Sequence, residues 1–267
     1  MKHLKIIYLL VIAMLFIQCS SDGDDGPKGY FPKKITIVNT LNILTNNREV
    51  NITYSNTNLI SKIEFNYLSG TVSASNFDTI YFEYTSDNNI SEIKSLNLNG
   101  IETITTFTHD SFGVITEINI FVEDESTIEI SSGYNSQSNT YSLNGIFANF
   151  PLEFNFDNND VIQSVSGPAI DNRIFNYSAE ETQVFKNLRQ QPELIMWAEI
   201  LTFGGLNLDL YYLTPYKLDE IKSQSLDHRT FNNFETDENN NLIKFKSTLL
   251  LGSGEREYTI LYEQRFL

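Results

Sequence analysis

Polar and apolar residues alternate along most of the chain from Tyr30 onward, in short segments separated by clusters of Asn, Asp, Ser and Gly. Val50, Ile52 and Tyr54 share one parity, with polar residues between them. The same period of two recurs in residues 63–67, 80–84, 118–122, 152–156 and 258–262. Alternation over short segments bounded by turn-forming residues is typical of antiparallel strands that bury one face. The pattern therefore predicts an all-β fold, a large antiparallel meander that is strongly curved or partly closed into a barrel.

The connections between these segments follow one repeated spacing. If the last residue of the incoming strand, aromatic in most copies, is position zero, then position six and position nine are apolar. Position four is Asn58, Asn88, Gly113, Asp160 and Asn240 in five copies, and a weaker copy has Ser138 there. Gly, Asn and Asp tolerate positive φ, so we predict tight hairpins with a left-handed residue at position four. Positions six and nine would lie on opposite faces of a regular strand. Either both faces are partly covered or a bulge follows each turn.

One segment of the chain has a helical pattern instead. Residues 192–203 begin with a proline and Glu193, and two glycines follow them. These residues suit the start and the end of a helix, respectively. Leu194, Trp197, Ala198 and Leu201 would form one apolar face. A helix of this length is marginal in isolation, so we expect it to pack on the sheet or to plug the open end of the barrel.

The N-terminal residues have the features of an export signal. Residues 1–18 combine a short basic head with an apolar run, too short to span a bilayer, and Cys19 is the single cysteine of the chain. Residues 19–29 are small, polar and acidic, which predicts a flexible tether. We therefore divide the chain into a signal peptide (1–18), Cys19 with a flexible tether (19–29) and one β-rich domain (30–267).

Charge and composition narrow the classes of partner. Loss of the two signal lysines takes the formal charge from −16 to −18, which repels nucleic acid. Hydrophobic residues make up 41% of the chain, enough for a packed core, and a lone cysteine allows no internal disulfide.

The sequence contains no catalytic motif, and we predict no cofactor. His109 occupies an aromatic position of the hairpin repeat, which favours a structural role, and His228 lacks a recognisable triad or metal set around it. The Asp and Asn clusters offer oxygen ligands for calcium, but hairpin turns use the same residues for backbone reasons, so we predict no metal site. Tyr211, Tyr212 and Tyr216 are the candidate ligand-facing aromatics, because they lie close together near a proline.

Three local patterns resemble known motifs. The segment Leu15 to Cys19 resembles a lipobox, which implies acylation of Cys19, and the tether resembles the acidic export tag of surface lipoproteins of Bacteroidetes. The repeat, best met by residues 109–118, is similar to the YD or Rhs-type β-hairpin repeat. The whole arrangement resembles a family of Bacteroidetes lipoproteins of unknown function. That resemblance implies an outer-membrane lipoprotein, either on the cell surface or on the periplasmic face.

These features lead to three functional hypotheses. The first is a non-enzymatic, lipid-anchored envelope protein that binds a glycan or another envelope protein. The second is an enzyme that acts on extracellular polysaccharide through two carboxylates, which an acidic cleft flanked by exposed aromatics would favour. The third is a structural coat lipoprotein, which a flat and polar outer sheet face would favour.

Overall fold

In the part of the chain that the computed structural model describes (residues 27–40, 46–123, 127–147, 150–168, 172–178, 187–188, 191–203, 216–223, 228–249 and 254–267), sixteen strands form one closed antiparallel barrel. Twelve of them precede a helix, α1: β1 (Lys28–Asn39), β2 (Asn47–Tyr54), β3 (Ile60–Ser69), β4 (Phe77–Tyr84), β5 (Ile90–Asn97), β6 (Glu102–His109), β7 (Ile115–Val122), β8 (Ile128–Asn135), β9 (Thr140–Phe147), β10 (Phe150–Phe156), β11 (Ile162–Ser166) and β12 (Arg173–Tyr177). The rest of the order is α1 (Pro192–Phe203), β13 (Leu218–Lys222), β14 (Arg229–Thr236), β15 (Leu242–Leu249) and β16 (Gly254–Phe266).

The meander closes because its first and last strands pair. Each strand pairs with its neighbours in sequence, and β1 also pairs with β16, so that Ile35 lies between Val50 and Ile260. The predicted all-β fold with one short helix is confirmed, and the barrel is complete rather than partly open. Closure leaves no sheet edge that could pair with another chain.

The inside of the barrel is mainly apolar, and its outside is mainly polar. Only the inner face of a closed sheet is covered, and most of the buried residues are the alternating apolar ones, such as Ile63, Ile80, Ile93 and Ile118, all at 0% exposure. Charged residues of the intervening positions face outward and pair across or along strands: Lys34–Glu49, Lys62–Glu64, Lys94–Glu102, Lys244–Glu257 and Lys246–Glu255. A lipid-facing barrel has the opposite arrangement, with an apolar outer band and a polar interior. The outer face of this barrel is thus suited to water.

Helix α1 runs through the barrel. The Glu193 side chain contacts His109, the last residue of β6. The Glu199 side chain contacts Arg173, the first residue of β12, which lies toward the opposite end of the barrel. At about 1.5 Å per residue, the helix is about 18 Å long. Helix α1 is confirmed at the predicted residues. Its buried surface is wider than the single apolar face that the sequence predicted. Met196 and Glu199 are buried as well, because a helix inside a barrel is covered on all sides.

The repeated hairpins all lie at one end of the barrel, here called the turn end. The five residues at position four have positive φ, between 58° and 80°, at Asn58, Asn88, Gly113, Asp160 and Asn240. In the weaker copy the left-handed residue is Asn139, one position later than the spacing had placed it at Ser138. The first and last strands also begin and end there, since Asn58 Nδ2 donates to the backbone oxygen of Phe266.

A bulge follows each of the five turns, which answers the question that the spacing left open. Tyr54 pairs with Ile60, but Thr53 pairs with Lys62, so one extra residue lies between them on β3. The same shift recurs in the other four hairpins. The extra residue shifts the alternation of inward and outward side chains by one position. Both position six and position nine therefore point into the barrel, as in Ile60 and Ile63.

The first residue of each loop holds the turn by a side-chain oxygen. Asp110 Oδ1 accepts hydrogen bonds from the backbone nitrogens of Phe112 and Val114, at 2.8 and 3.0 Å. Asp157 and Asp237 do the same in their own turns. Their carboxylates are therefore explained by turn geometry. Among the described residues, no group of His, Cys, Asp and Glu has an arrangement that could hold a metal ion.

Candidate functional site

A concave pocket lies at the turn end, where α1 enters the barrel. Its volume is about 390 Å³, within the range that holds small ligands. Four neighbouring hairpins and the start of α1 supply the described lining residues: Asp87, Asn89, Ser111, Phe112, Gly113, Val114, Tyr134, Tyr141, Asp160, Gln191, Pro192 and Glu193. The repeated turns thus surround a cavity that no single hairpin contains.

Contacts between the turns and the start of α1 fix the positions of the residues that line the pocket. Gln191 caps α1 through its carbonyl oxygen, which accepts from the backbone nitrogens of Leu194 and Ile195. Its side-chain nitrogen donates to the backbone oxygen of Asn88 at 3.2 Å, which ties the helix to the turn between β4 and β5. The next turn packs closely on this one, since a Cβ added at Gly113 would lie 3.0 Å from Asn89 Nδ2. The positive φ of Gly113 is one that Asn and Asp also adopt in the other hairpins, but a side chain at Gly113 would require Asn89 to shift.

The floor of the pocket contains a buried carboxylate. Glu193 is at the second position of α1, and its side chain is 4% exposed. His109 Nε2 donates to Glu193 Oε1 at 2.8 Å, and the histidine side chain is 8% exposed. Glu193 Oε2 is fully enclosed and has no hydrogen-bond partner among the described residues. A buried carboxylate oxygen without a donor is costly, so this enclosed oxygen adds to the free-energy cost of burying Glu193.

The role of His109 becomes clear by comparison with the tyrosines of the same repeat. Tyr84 donates through its hydroxyl to the backbone oxygen of Ile60 at 2.6 Å, and Tyr262 donates likewise to Leu242 at 2.8 Å. These tyrosines lock one hairpin to the next. His109 occupies the equivalent place but contacts the helix instead. It therefore positions Glu193, a role beyond the purely structural one that the repeat predicted.

Aromatic side chains form the rest of the pocket. Phe112 is 89% exposed at the tip of the turn between β6 and β7, the largest exposure of any large apolar side chain among the described residues. Tyr134 and Tyr141 lie with ring centroids 4.7 Å apart, and the Tyr134 hydroxyl donates to Asn139 Oδ1. Burial raises the pKa of Tyr141, and negative charge from neighbouring groups that include Glu193 adds to this effect. The Tyr141 phenol therefore remains a protonated donor in the ordinary pH range.

The sequence-predicted ligand-facing aromatics lie elsewhere or outside the described residues. Tyr216 packs edge-on against Tyr177, with ring centroids 6.4 Å apart, and it is not among the described lining residues. Tyr211, Tyr212 and the acylation site Cys19 lie outside the described residues. The aromatic residues that line the pocket, Phe112, Tyr134 and Tyr141, were not predicted from the sequence. The signal that could have found Phe112 is a large apolar residue in the middle of a hairpin loop, where polar residues are the rule.

His228 has a partner outside the pocket. Its Nε2 lies 2.8 Å from Glu220 Oε1, and Asn176 Nδ2 donates to the other oxygen of the same carboxylate at 2.7 Å. The hydrogen bond from His228, followed by that from Asn176, holds the pKa of Glu220 below its usual value. This cluster on β12, β13 and β14 stabilises the strands, and the described residues add no nucleophile to it.

Comparisons with known proteins show the fold. No family model matches the sequence, and no curated protein matches it. A solved structure of a porin-like protein from Bacteroides uniformis has a TM-score of 0.52 and 12% identity, with 87% of this chain and 98% of that chain covered. A porin-like protein from Bacteroides vulgatus has a TM-score of 0.42 and 9% identity, with 88% and 99% covered. At such identity, the first likeness indicates a shared barrel architecture.

Within the described part of the chain, no helix has the length and hydropathy needed to cross a bilayer.

Proposed function

We propose that this chain is a lipid-anchored cell-envelope protein whose barrel is a non-enzymatic binding module, and that the pocket at the turn end binds a glycan. The observation that supports this most is the pocket itself, which combines amide, hydroxyl and carboxylate groups with the exposed ring of Phe112. Hydroxyl-rich ligands need many hydrogen-bonding partners, whereas the faces of sugar rings stack on aromatic side chains. Both kinds of group are present here.

The distribution of polarity supports a binding module over a solute pore. The described inner face is mainly apolar, and its buried charges include the pair Arg173–Glu199. Helix α1 runs along the lumen with Trp197 at 1% exposure and its ring centroid 6.0 Å from that of Phe77. A water-filled channel needs a polar lining. The outer face has charged pairs such as Lys34–Glu49, whose placement against lipid tails would be costly. The barrel therefore suits a position in water beside a membrane.

The position of the termini supports a ligand close to that membrane. β1 starts at Lys28 on the turn end, the same end as the pocket. If Cys19 is acylated, the eight residues 20–27 reach at most about 30 Å when fully extended. The pocket end would then be the end of the barrel nearest the anchor. Envelope glycans attached to lipid, or lying against the membrane, are the ligands within this distance.

Cell fractionation tests the anchor. We expect the wild-type chain in the membrane fraction and the variant Cys19→Ser in the soluble fraction, because stable anchoring depends on the acyl chains. The folded barrel should be unchanged, so circular dichroism of the variant serves as the control. Recovery of Cys19→Ser in the detergent phase would contradict the lipid anchor.

Glycan binding is tested at Phe112, with a matched variant outside the pocket. Loss of a stacked ring should weaken binding about tenfold, equivalent to about 1.4 kcal/mol, so Phe112→Ala should lose affinity on a glycan array and in calorimetry. Leu261→Ala is the control, because Leu261 is 55% exposed on β16 and does not line the pocket. Equal losses in both variants, or no glycan bound by the wild type, would contradict the proposal.

The same pocket favours a second candidate, hydrolysis of a glycosidic bond. Asp87, Asp160 and Glu193 line one cavity together with aromatic residues. Glycosidases use a pair of carboxyl groups in such a cavity. Release of reducing ends from a bound glycan, lost in Glu193→Gln, would support hydrolysis, whereas binding without turnover supports the module. The polar outer face also suits a coat protein, but a coat does not require a pocket.

A further inference from the structure

The hairpins that line the pocket at the turn end are joined to one another. The described lining comes from four consecutive hairpins, β4–β5, β6–β7, β8–β9 and β10–β11, which lie side by side on the rim of the barrel. The first two turns pack closely, because a Cβ added at Gly113 would lie 3.0 Å from Asn89 Nδ2. The last two are joined by Asn139 Nδ2, which donates to the backbone oxygen of Asp157 at 2.5 Å.

Tyr141 closes the remaining junction, between the second and the third hairpin. Its hydroxyl lies beside the backbone of Ile115, the first residue of β7. Its ring also packs edge-on against Phe156 of the fourth hairpin, with ring centroids 6.0 Å apart. In the described part of the chain, contacts therefore run from each of the four hairpins to the next, and a bound saccharide has no exit between them.

Helix α1 closes the inner side and the floor of the pocket. Gln191 ties the start of the helix to the first turn, and Glu193 ties it to His109 at the end of β6. About one helical turn further on, Met196 and Trp197 are 0% and 1% exposed. The packed interior of the barrel thus lies directly below the pocket, and a saccharide cannot continue down the lumen.

This shape favours the end of a saccharide chain over its middle. An internal ring has a neighbour on both sides and needs a groove that is open at both ends, whereas a terminal ring has a neighbour on one side only. The volume of about 390 Å³ is near the lower end of the range for ligand pockets, with room for about one or two sugar rings. Phe112 lies at the rim, where its exposed face can stack on the outer of these rings.

We propose that the pocket binds the non-reducing end of a saccharide chain and encloses its last one or two rings. This inference rests on the proposed glycan binding and anchor, and it narrows the ligand class. A glycan attached to a lipid through its reducing end points its non-reducing end away from the membrane. The pocket is at the end of the barrel nearest the proposed anchor, so it faces such chain ends.

Chain length is the first variable of the experiment. Calorimetry on the detergent-solubilised full chain uses linear oligosaccharides of glucose, mannose and N-acetylglucosamine, with one, two, four and six rings each. We expect the affinity for the series that binds to rise from one ring to two. From four rings to six it should change less than about twofold, because the added rings lie outside the pocket and contact water.

Blocked chain ends are the second variable. For the series that binds, one tetrasaccharide carries a 4,6-O-benzylidene group on its non-reducing ring, and another carries a p-nitrophenyl group on its reducing end. We expect the benzylidene group to weaken binding at least about tenfold, because the closed floor leaves no space for it. The p-nitrophenyl group points out of the mouth and should change the affinity less than about twofold.

Two serines provide a matched pair of variants that locate the binding. Ser111 is the second residue of its loop and lines the pocket, whereas Ser86 has the same place in the neighbouring loop and is not among the described lining residues. Both side chains are exposed, so tryptophan should be tolerated at either position, which circular dichroism checks. Ser111→Trp should weaken binding at least about tenfold by filling the mouth, and Ser86→Trp should leave it nearly unchanged.

The outcomes separate this inference from the proposed function. An affinity that keeps rising from two rings to six would indicate an extended groove and overturn chain-end binding, but glycan binding would stand. Equal binding of the benzylidene-blocked and free tetrasaccharides would place internal rings in the pocket, and a loss caused only by the p-nitrophenyl group would reverse the orientation; either result overturns the inference. Equal losses in the two tryptophan variants would place the glycan outside this pocket. If no series binds and a glycan array is also empty, the proposed function fails, and this inference fails with it.

Discussion

The buried ion pair between Arg173 and Glu199 is expected to hold α1 inside the barrel. Arg173 Nη1 donates to Glu199 Oε2 at 2.6 Å, and the two side chains are 4% and 2% exposed. The variant Glu199→Gln removes the negative charge that lies beside this buried guanidinium. Removal of one partner of a buried pair costs about 3–5 kcal/mol, because the remaining buried charge loses a strong attraction that water does not replace. We therefore expect a large loss of stability from a change of a few atoms.

Urea unfolding measures this loss, and Trp197 is a built-in probe. It is the single tryptophan of the chain and lies on α1, two residues before Glu199, at 1% exposure. With a slope of about 3 kcal/mol per molar urea, the unfolding midpoint of Glu199→Gln should fall by about 1–2 M. Glu64→Gln is the control, since it breaks a 3.1 Å pair on the outer face whose side chains are 31% and 46% exposed. Its free energy of unfolding should change by less than about 1 kcal/mol.

A second variant tests the reasoning from desolvation. When both partners of a buried pair are replaced by apolar residues of similar volume, stability is often restored. Arg173→Met combined with Glu199→Leu should therefore be more stable than Glu199→Gln alone. If Glu199→Gln unfolds at the same midpoint as Glu64→Gln, or if the double variant is the least stable of all, then the pair does not hold the helix as the structure implies.

Further predictions concern pH and the turns. Burial raises the pKa of Tyr54 and of Tyr177 above that of an unfolded tyrosine. Above about pH 10 the unfolded chain therefore releases these protons more readily than the folded chain does. The stability that the neutral phenols contribute below about pH 10 is lost as the pH rises above this value. Urea midpoints measured from neutral to alkaline pH should fall, and a constant midpoint would contradict the burial of these phenols. Asn88→Ala should lower the free energy of unfolding by about 1–2 kcal/mol, since alanine resists the φ of 65°. Asn88→Gly should be nearly neutral, and thermal melts that show equal losses for the two variants would exclude backbone conformation as the cause.

The strands, hairpins and helix could be predicted because they depend on local physics. Alternation with a period of two reports one buried face, whatever covers that face. The residue at position four must adopt positive φ, and only a few residue types do so readily, so five copies marked five turns. The ends of α1 were equally clear from Pro192 and the glycines that follow Phe203.

The tertiary structure decided what distant parts of the chain do together. The pairing of Ile35 with Ile260 closes the barrel, and no local signal specifies a contact across more than two hundred residues. Closure also placed α1 inside the barrel. Glu193, which the sequence indicated only as a residue of the helix start, is therefore a buried partner of His109, and Glu199 is a buried partner of Arg173. The pocket has the same origin, because its lining comes from four hairpins and a helix. Local preferences determine the pieces of this protein, whereas long-range packing and the charges enclosed by it determine where a ligand can bind.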